Sequence, residues 1–455
     1  MDLTSELARA QALLQARAGE TEVELRLDAT RRACELLGDI HTSAPVITVT
    51  GTNGKTSTVR MVDTLIRAHD LRTGRFSSPH MQDLTERFSV DGEPVNAEKF
   101  VEIVDDIQPV LHIVDQELAQ SDRPPLTFFE ALTVVAFAIF ADAPVDVMIL
   151  EVGMGGEWDS TNVADAQVCV FTPVSLDHQQ FLGDTVEEIA RTKAGILNRT
   201  VDPSPAPHPV AVVGPQVPEV EDVFASEFAD RGVESRWLGR EFGLQSRLNA
   251  VDGQVIHVRT QLEDYPDLFL PLHGEHQAVN AAVALAAVEA FLGTDDKPLN
   301  VDVVGEGMSA VTSPGRVEIL RSEPTVIVDG AHNAHAAQVL AETVGGAFDF
   351  AEVVAVVAMY ADKDPHGVFE YLSRFARRVI VTQVQSPRAM EADELAHAAS
   401  EWWEADDVLV ENDMNSALMK ALDLALDESG TGVVVTGSLS TVGEARTLLG
   451  RKEQS

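Results

Sequence analysis

The sequence predicts an α/β fold: a larger domain with a mainly parallel sheet and a P-loop-type phosphate loop, followed by a smaller Rossmann-like α/β domain. Three observations predict it. Short β-branched runs alternate with longer stretches of helical periodicity. A glycine-rich turn ends the first clear run and opens a helix. At 455 residues the chain is too long for one ordinary core, and 45% apolar residues supply material for more than one.

The elements follow in order. The first domain is expected to place strands at Val46–Thr50, 145–150, Val168–Phe171 and Val210–Val213. After Lys55, the residues Val59, Val62, Leu65 and Ile66 keep helical spacing, so a helix begins where the first strand ends. The apolar run 131–141, bounded by Glu130 and Asp142, is about half the length of a bilayer span and reads as a buried helix. Residues 200–208 are rich in proline and read as a loop. Turn residues at Thr312-Ser313-Pro314-Gly315-Arg316 mark a linker, taken as 313–318, between domains of 1–312 and 319–455. The second domain should carry strands at Thr325–Val328, 353–357, 379–382 and 433–436. Open α/β sheets bind ligands beyond the carboxyl ends of their strands. A site assembled between the two domains is therefore expected.

Composition excludes several functions. A net charge of −40 repels nucleic acid and anionic membranes, so neither is an expected partner. The acidic residues are dispersed, which favours a solvated acidic surface over a disordered tail. The two cysteines, Cys34 and Cys169, exclude a disulfide framework and a multi-cysteine metal site. Charges run through the first 38 residues without an apolar stretch, so no signal peptide is expected and a cytoplasmic location is. Lysine is scarce, which makes Lys55 and Lys193 conspicuous.

The chemistry starts at Gly51-Thr52-Asn53-Gly54-Lys55-Thr56-Ser57. Glycines let a loop curl its N–H groups toward phosphate oxygens, and the following helix adds partial positive charge. Lys55 is expected to reach the β/γ-phosphates, with Thr56 or Ser57 supporting phosphate or magnesium. Val49 stands where the full P-loop pattern has glycine, so this is a shortened relative. Glu151, at a strand end before Gly153-Met154-Gly155-Gly156, can point a carboxylate into the cleft. Asp177-His178 follows its strand in the same way. Taken singly, Glu151 reads equally as a first-turn residue and His178 as a structural or exposed histidine.

Together the motifs resemble the dihydrofolate synthase/folylpolyglutamate synthase family of the Mur ligase superfamily. The resemblance is carried, in family order, by the ATP loop and by Ser77-Ser78-Pro79-His80, Leu126-Thr127-Phe128-Phe129-Glu130 and Glu151-Val152-Gly153-Met154-Gly155-Gly156. Leu176-Asp177-His178, Lys193-Ala194-Gly195-Ile196 and Asp329-Gly330-Ala331-His332-Asn333 complete it. It implies that Ser78, Glu151 and His178 ligate magnesium, and that Lys193 is carbamylated and helps hold a second magnesium. An ordinary lysine bound to phosphate or to an acidic neighbour is the alternative for Lys193. Thr52, Asn53, Gly54, Lys55, Thr56 and Ser57, with Asn280, Arg316 and Asp329, match ATP-contacting positions. Thr127, Phe128, Phe129, Glu130, Trp158, Asp159 and Ser160 match the lining of a pteroate pocket. Thr127 and Glu130 also have the spacing of a capping box. Glu157 stands where an arginine is common.

The implied reaction uses ATP to activate a carboxylate as an acyl phosphate, which the amine of L-glutamate attacks. The acceptor is dihydropteroate, a folylpolyglutamate, or both. Lys55, Lys193 and His178 would carry the catalytic role, by positioning and electrostatic stabilisation rather than as nucleophiles. Two magnesium ions, a lysine carbamate and a monovalent cation are the expected accessories, and a monomer is expected. His332 and His335 could assist glutamate binding, helix packing or exposure being the simpler reading. The alternatives are another Mur-type ligase acting on a nucleotide-linked peptidoglycan precursor, and a non-catalytic ATP-binding switch.

Overall fold

The computed structural model describes residues 2–19, 24–197, 209–293 and 297–450; the expected loop at 200–208 lies outside them. Eight strands form the first sheet: β1 (Val46–Thr50), β2 (Thr73–Phe76), β3 (Phe88–Val90), β4 (Glu93–Pro94), β5 (Val147–Glu151), β6 (Val168–Phe171), β7 (Val210–Val213) and β8 (Glu234–Trp237). Their order is β4-β3-β2-β5-β1-β6-β7-β8. From β2 to β8 every neighbour is parallel, and β3 and β4 add an antiparallel edge. Every residue of β1, β5 and β6 is buried, which is why they read as mostly apolar or β-branched runs without a polar-out alternation.

Helices cover both faces of this sheet. One core cluster joins it to the helices Ala97–Gln120 and Phe128–Asp142, the latter being the expected buried helix. A second joins it to Lys55–Ala68 and Glu275–Leu292, and a third to Val186–Ala194 and Pro218–Arg231. Val59, Val62, Leu65 and Ile66 are all buried on Lys55–Ala68, as their spacing predicts. No helix among the described residues is long and apolar enough to cross a membrane.

Sequence periodicity missed a second sheet. Strands β9 (Gly243–Ala250), β10 (Gly253–Arg259) and β11 (Asp264–Leu270) form an antiparallel meander packed on the helix Glu275–Leu292. Only part of each strand is buried, so polar residues interrupt the apolar signal. An Asp-Gly pair was the available clue at two hairpins. Asp91 and Gly92, both at positive φ, turn β3 into β4, and Asp252 turns β9 into β10.

The third sheet contains β12 (Glu318–Ser322), β13 (Thr325–Val328), β14 (Glu352–Val357), β15 (Arg378–Val381), β16 (Val408–Val410) and β17 (Thr431–Thr436). It runs β12-β13-β17-β14-β15-β16 and is parallel except for β12. Strand β12 begins at Glu318, inside the stretch read as a linker. Strand β5 starts two residues later than expected and takes in Glu151, which pairs with Val49.

Candidate active site

The phosphate loop leaves β1 at Gly51, where a Cβ would lie 1.9 Å from Thr172 Oγ1. Only glycine permits this approach of β1 to the end of β6. Pro173 O accepts from the N–H groups of Thr52 (2.8 Å) and Asn53 (3.3 Å), so those donors anchor the loop. The first turn of Lys55–Ala68 keeps N–H groups with no partner within the helix, the kind of donor set an anion can take. Gly54 caps that helix at φ +86°, its Cα facing Asn280 Oδ1. The Lys55 ammonium curls over the loop, donating to the carbonyls of Gly51 and Thr52 at 3.1 Å each.

Beside the loop, Glu151 is 1% exposed. It accepts from Thr56 Oγ1 at 2.7 Å and from the Ser78 N–H at 3.3 Å. Burial pushes its carboxyl above the usual range, opposed by Lys55 and the Thr56 hydroxyl. Ser57 faces elsewhere: its hydroxyl meets Ser313 Oγ at 2.9 Å and accepts from Gln277. Thr56 is therefore the hydroxyl that stands on the acidic residue. The Lys193 side chain is buried and donates to Gly51 O at 2.8 Å. Burial, then the Lys55 cation, push its amine down to about 7. His178 sits at φ 49°, its Nε2 3.7 Å from Asp177, and burial lowers its pKa.

A cavity of about 840 Å³ connects this loop to two further regions. At one end stand Thr127, Phe129, Glu130, Trp158, Asp159 and Ser160. The capping box of Thr127 and Glu130 is formed, and Arg26 grips the Glu130 carboxylate at 2.8 and 2.9 Å. Glu130 is thus committed to structure as well as to the cavity wall. Asp159 accepts from Thr161 and from the Met154 N–H, while Trp158 remains 37% exposed and offers a ring face. Phe128 is not on the lining: half-buried, it packs against the core with the Arg87 guanidinium 5.6 Å from its ring.

The other wall comes from Asn280 and from Arg316, Asp329, His332 and His335. Asp329 accepts from the N–H groups of Val317 (2.9 Å) and Ala331 (2.8 Å) while lining the cavity. His335 is exposed, as the simpler reading has it, and still makes a contact between the two walls. His335 Nδ1 meets Asn53 Nδ2 at 2.9 Å across the cleft, and His332 is half-buried against Gly330 O. Sequence reading missed Lys363, whose ammonium lies 3.7 Å from Asp177 and faces the first domain. Its rarity and its position after β14 were the available signals. It also missed His276 and Gln277, which share the first turns of one helix with Asn280.

Among the described residues no three His, Cys, Asp or Glu side chains cluster as a protein-only metal cage. The Glu151 carboxylate and the Thr56 hydroxyl do converge, oxygen donors of the kind magnesium takes alongside waters and phosphate oxygens, and Ser78 reaches the same carboxylate through its backbone N–H.

A phosphate loop, an acidic strand end and a second α/β domain closing one cavity are the parts of a Mur-type ligase. Residues 49–288 match the Mur ligase middle domain, and residues 315–439 match the Mur ligase, glutamate ligase domain. A dihydrofolate synthase/folylpolyglutamate synthase of Mycobacterium tuberculosis is 43% identical over 100% of this chain and 96% of its own length. Crystal structures of Mycobacterium tuberculosis folylpolyglutamate synthase complexed with ADP and AMPPCP superpose with a TM-score of 0.93 at 43% identity, covering 100% of both chains. An Escherichia coli structure in complex with DHPP and ADP gives 0.83 at 29% identity, covering 99% of this chain and 98% of its own. The chain belongs to the dihydrofolate synthase/folylpolyglutamate synthase family.

Proposed function

We propose that the protein uses ATP to activate a pteroate or folate carboxylate as an acyl phosphate, and joins L-glutamate to it through an amide bond. The observation that carries this reading is the single cavity that brings the phosphate loop, an aromatic-walled pocket and cationic second-domain residues together. Lys55 and the first turn of its helix bind the β/γ-phosphates and spread the charge of the transferring phosphoryl group. Asn280, Arg316 and Asp329 complete the nucleotide site from the domain boundary. Ser78, Glu151 and His178, with Thr56, would hold magnesium, which neutralises phosphate charge and aligns the leaving group when bound.

Lys193 as an amine brings no oxygen to a metal. Its neutral form adds carbon dioxide, losing a proton, to become an anionic oxygen donor; that carbamate, a second magnesium and a monovalent cation belong to the proposal. Trp158 and Phe129 give the pterin its apolar contacts, with Thr127, Glu130, Asp159 and Ser160 as polar neighbours. Lys363 is placed to meet a carboxylate of the incoming glutamate. The remaining parts are a domain division at 313–318, a monomer, and a cytoplasmic location.

The test offers purified protein ATP, magnesium and L-glutamate with dihydropteroate and tetrahydrofolate in separate reactions. Amide product with one or both is expected, and which one reacts sets the specificity. ADP release without amide from either acceptor would sink the folate reading.

A further inference from the structure

We propose that Arg446 and Glu318 are positioning residues that hold the interdomain hinge in the conformation aiming Arg316 at the nucleotide. The proposal rests on the reading of Arg316 as an ATP contact. Its basis is a set of ties around the two neighbours of Arg316. The N–H of Gly315 donates to Glu318 Oε2 at 2.9 Å, and the Arg446 guanidinium engages both oxygens of that carboxylate. Arg446 is 3% exposed and comes from the last described helix, Leu439–Leu448. On the other side of Arg316, Val317 sits at φ 48°, a region a β-branched residue adopts only when its surroundings enforce it. Its N–H is held by Asp329 Oδ2, and Gly315 O accepts from the Gly330 N–H at 3.0 Å. A Cβ on Gly330 would lie 2.7 Å from Arg316 Nη1, so the guanidinium rests against bare backbone.

Asp329 thus fixes one neighbour of Arg316, and the Arg446–Glu318 pair fixes the other. The pair also ties the hinge to a helix whose first turn, at Leu439 and Ser440, lines the cavity. With Arg446 neutralised, Glu318 is free to turn to solvent, the tie on Gly315 is lost, and Arg316 is presented to ATP in many orientations instead of one.

Steady-state kinetics on the full-length protein test this, with ATP varied and the other substrates saturating. Arg446→Met should raise the KM for ATP about tenfold, the scale of one charge-assisted hydrogen bond, while the KM for L-glutamate stays within about twofold. Arg446→Lys should recover part of the loss. In the Arg316→Ala background, Arg446→Met should add less than about twofold, because the residue it positions is gone. An unchanged KM for ATP in folded Arg446→Met, or a full multiplicative loss in the double variant, overturns the proposal. Glu318→Gln keeps volume and an acceptor for Gly315; it should raise the KM for ATP about threefold, and an unchanged value overturns the proposal even if Arg446→Met does not fold. A normal KM for ATP in Arg316→Ala removes both the nucleotide role of Arg316 and its positioning. A raised one there with none in Arg446→Met removes the positioning alone.

Discussion

Lys55 shows how one side chain divides fold from function. Its bonds are to carbonyls of its own loop, so it adds little to packing. Lys55→Ala should lower kcat by about a hundredfold or more, as loss of a preorganised charge donor does, with the melting temperature within a few degrees of the parent. Retained turnover would remove Lys55 from phosphoryl transfer. His276 behaves oppositely. Burial, with Arg316 and His335 adding to it, pushes its pKa down to about 4 from 6.5. Between those values the unfolded chain takes up a proton that the folded chain refuses, so this residue costs stability as pH falls from 6.5 toward 4. His276→Gln should therefore gain stability relative to the parent across that window. Denaturant unfolding at pH 7, 5.5 and 4.5 checks the sign, and a difference independent of pH rejects it.

At the scale of elements, the central apolar strands were legible, whereas the parallel β2, β8 and β16 and the antiparallel β3, β4 and β9–β12 were not. Strands β1, β6, β7 and β13 fall where β-branched and apolar runs put them, because burial on both faces leaves no charged residue in them. The β9–β11 meander mixes exposed and buried positions, and short alternation is easily lost; β2 is wholly buried, but its Thr-Gly-Arg-Phe run carries little apolar signal. The helix Phe128–Asp142 was legible as buried, but its first turn needed the structure. The sequence shows a capping box at Thr127 and Glu130; only the fold shows Arg26 arriving from 104 residues away to pair with Glu130. Both side chains are almost wholly buried. Arg26→Met should cost about 3–5 kcal/mol, because it strands a buried carboxylate, and Arg26→Met with Glu130→Met should recover part of that. Equal loss in the single and double variants would show that the pairing is not the cause.

For the whole molecule, the cavity belongs to neither domain alone. Asn53 meets His335 and Asp177 meets Lys363 across the cleft, and Ser57 meets Ser313 at the hinge. Magnesium and ADP supplied together at about a hundred times their Kd should stabilise the protein by about 2.7 kcal/mol in one transition shared by both domains. Calorimetry that raises only one of two separate transitions would refute coupling through the site, and chelating the magnesium should abolish most of the shift. By itself the sequence determined the α/β class, the phosphate loop and the ordered motifs, because these depend on local periodicity and on residues a few positions apart. Only the tertiary structure decided that Phe128 leaves the cavity wall, that Ser57 faces the hinge, that Lys363 lines the site and that Arg446 pairs with Glu318 beside the hinge. Arg446 lies 128 residues from its partner Glu318. Such pairings arise when sheets and helices pack, and no local pattern in the chain encodes them.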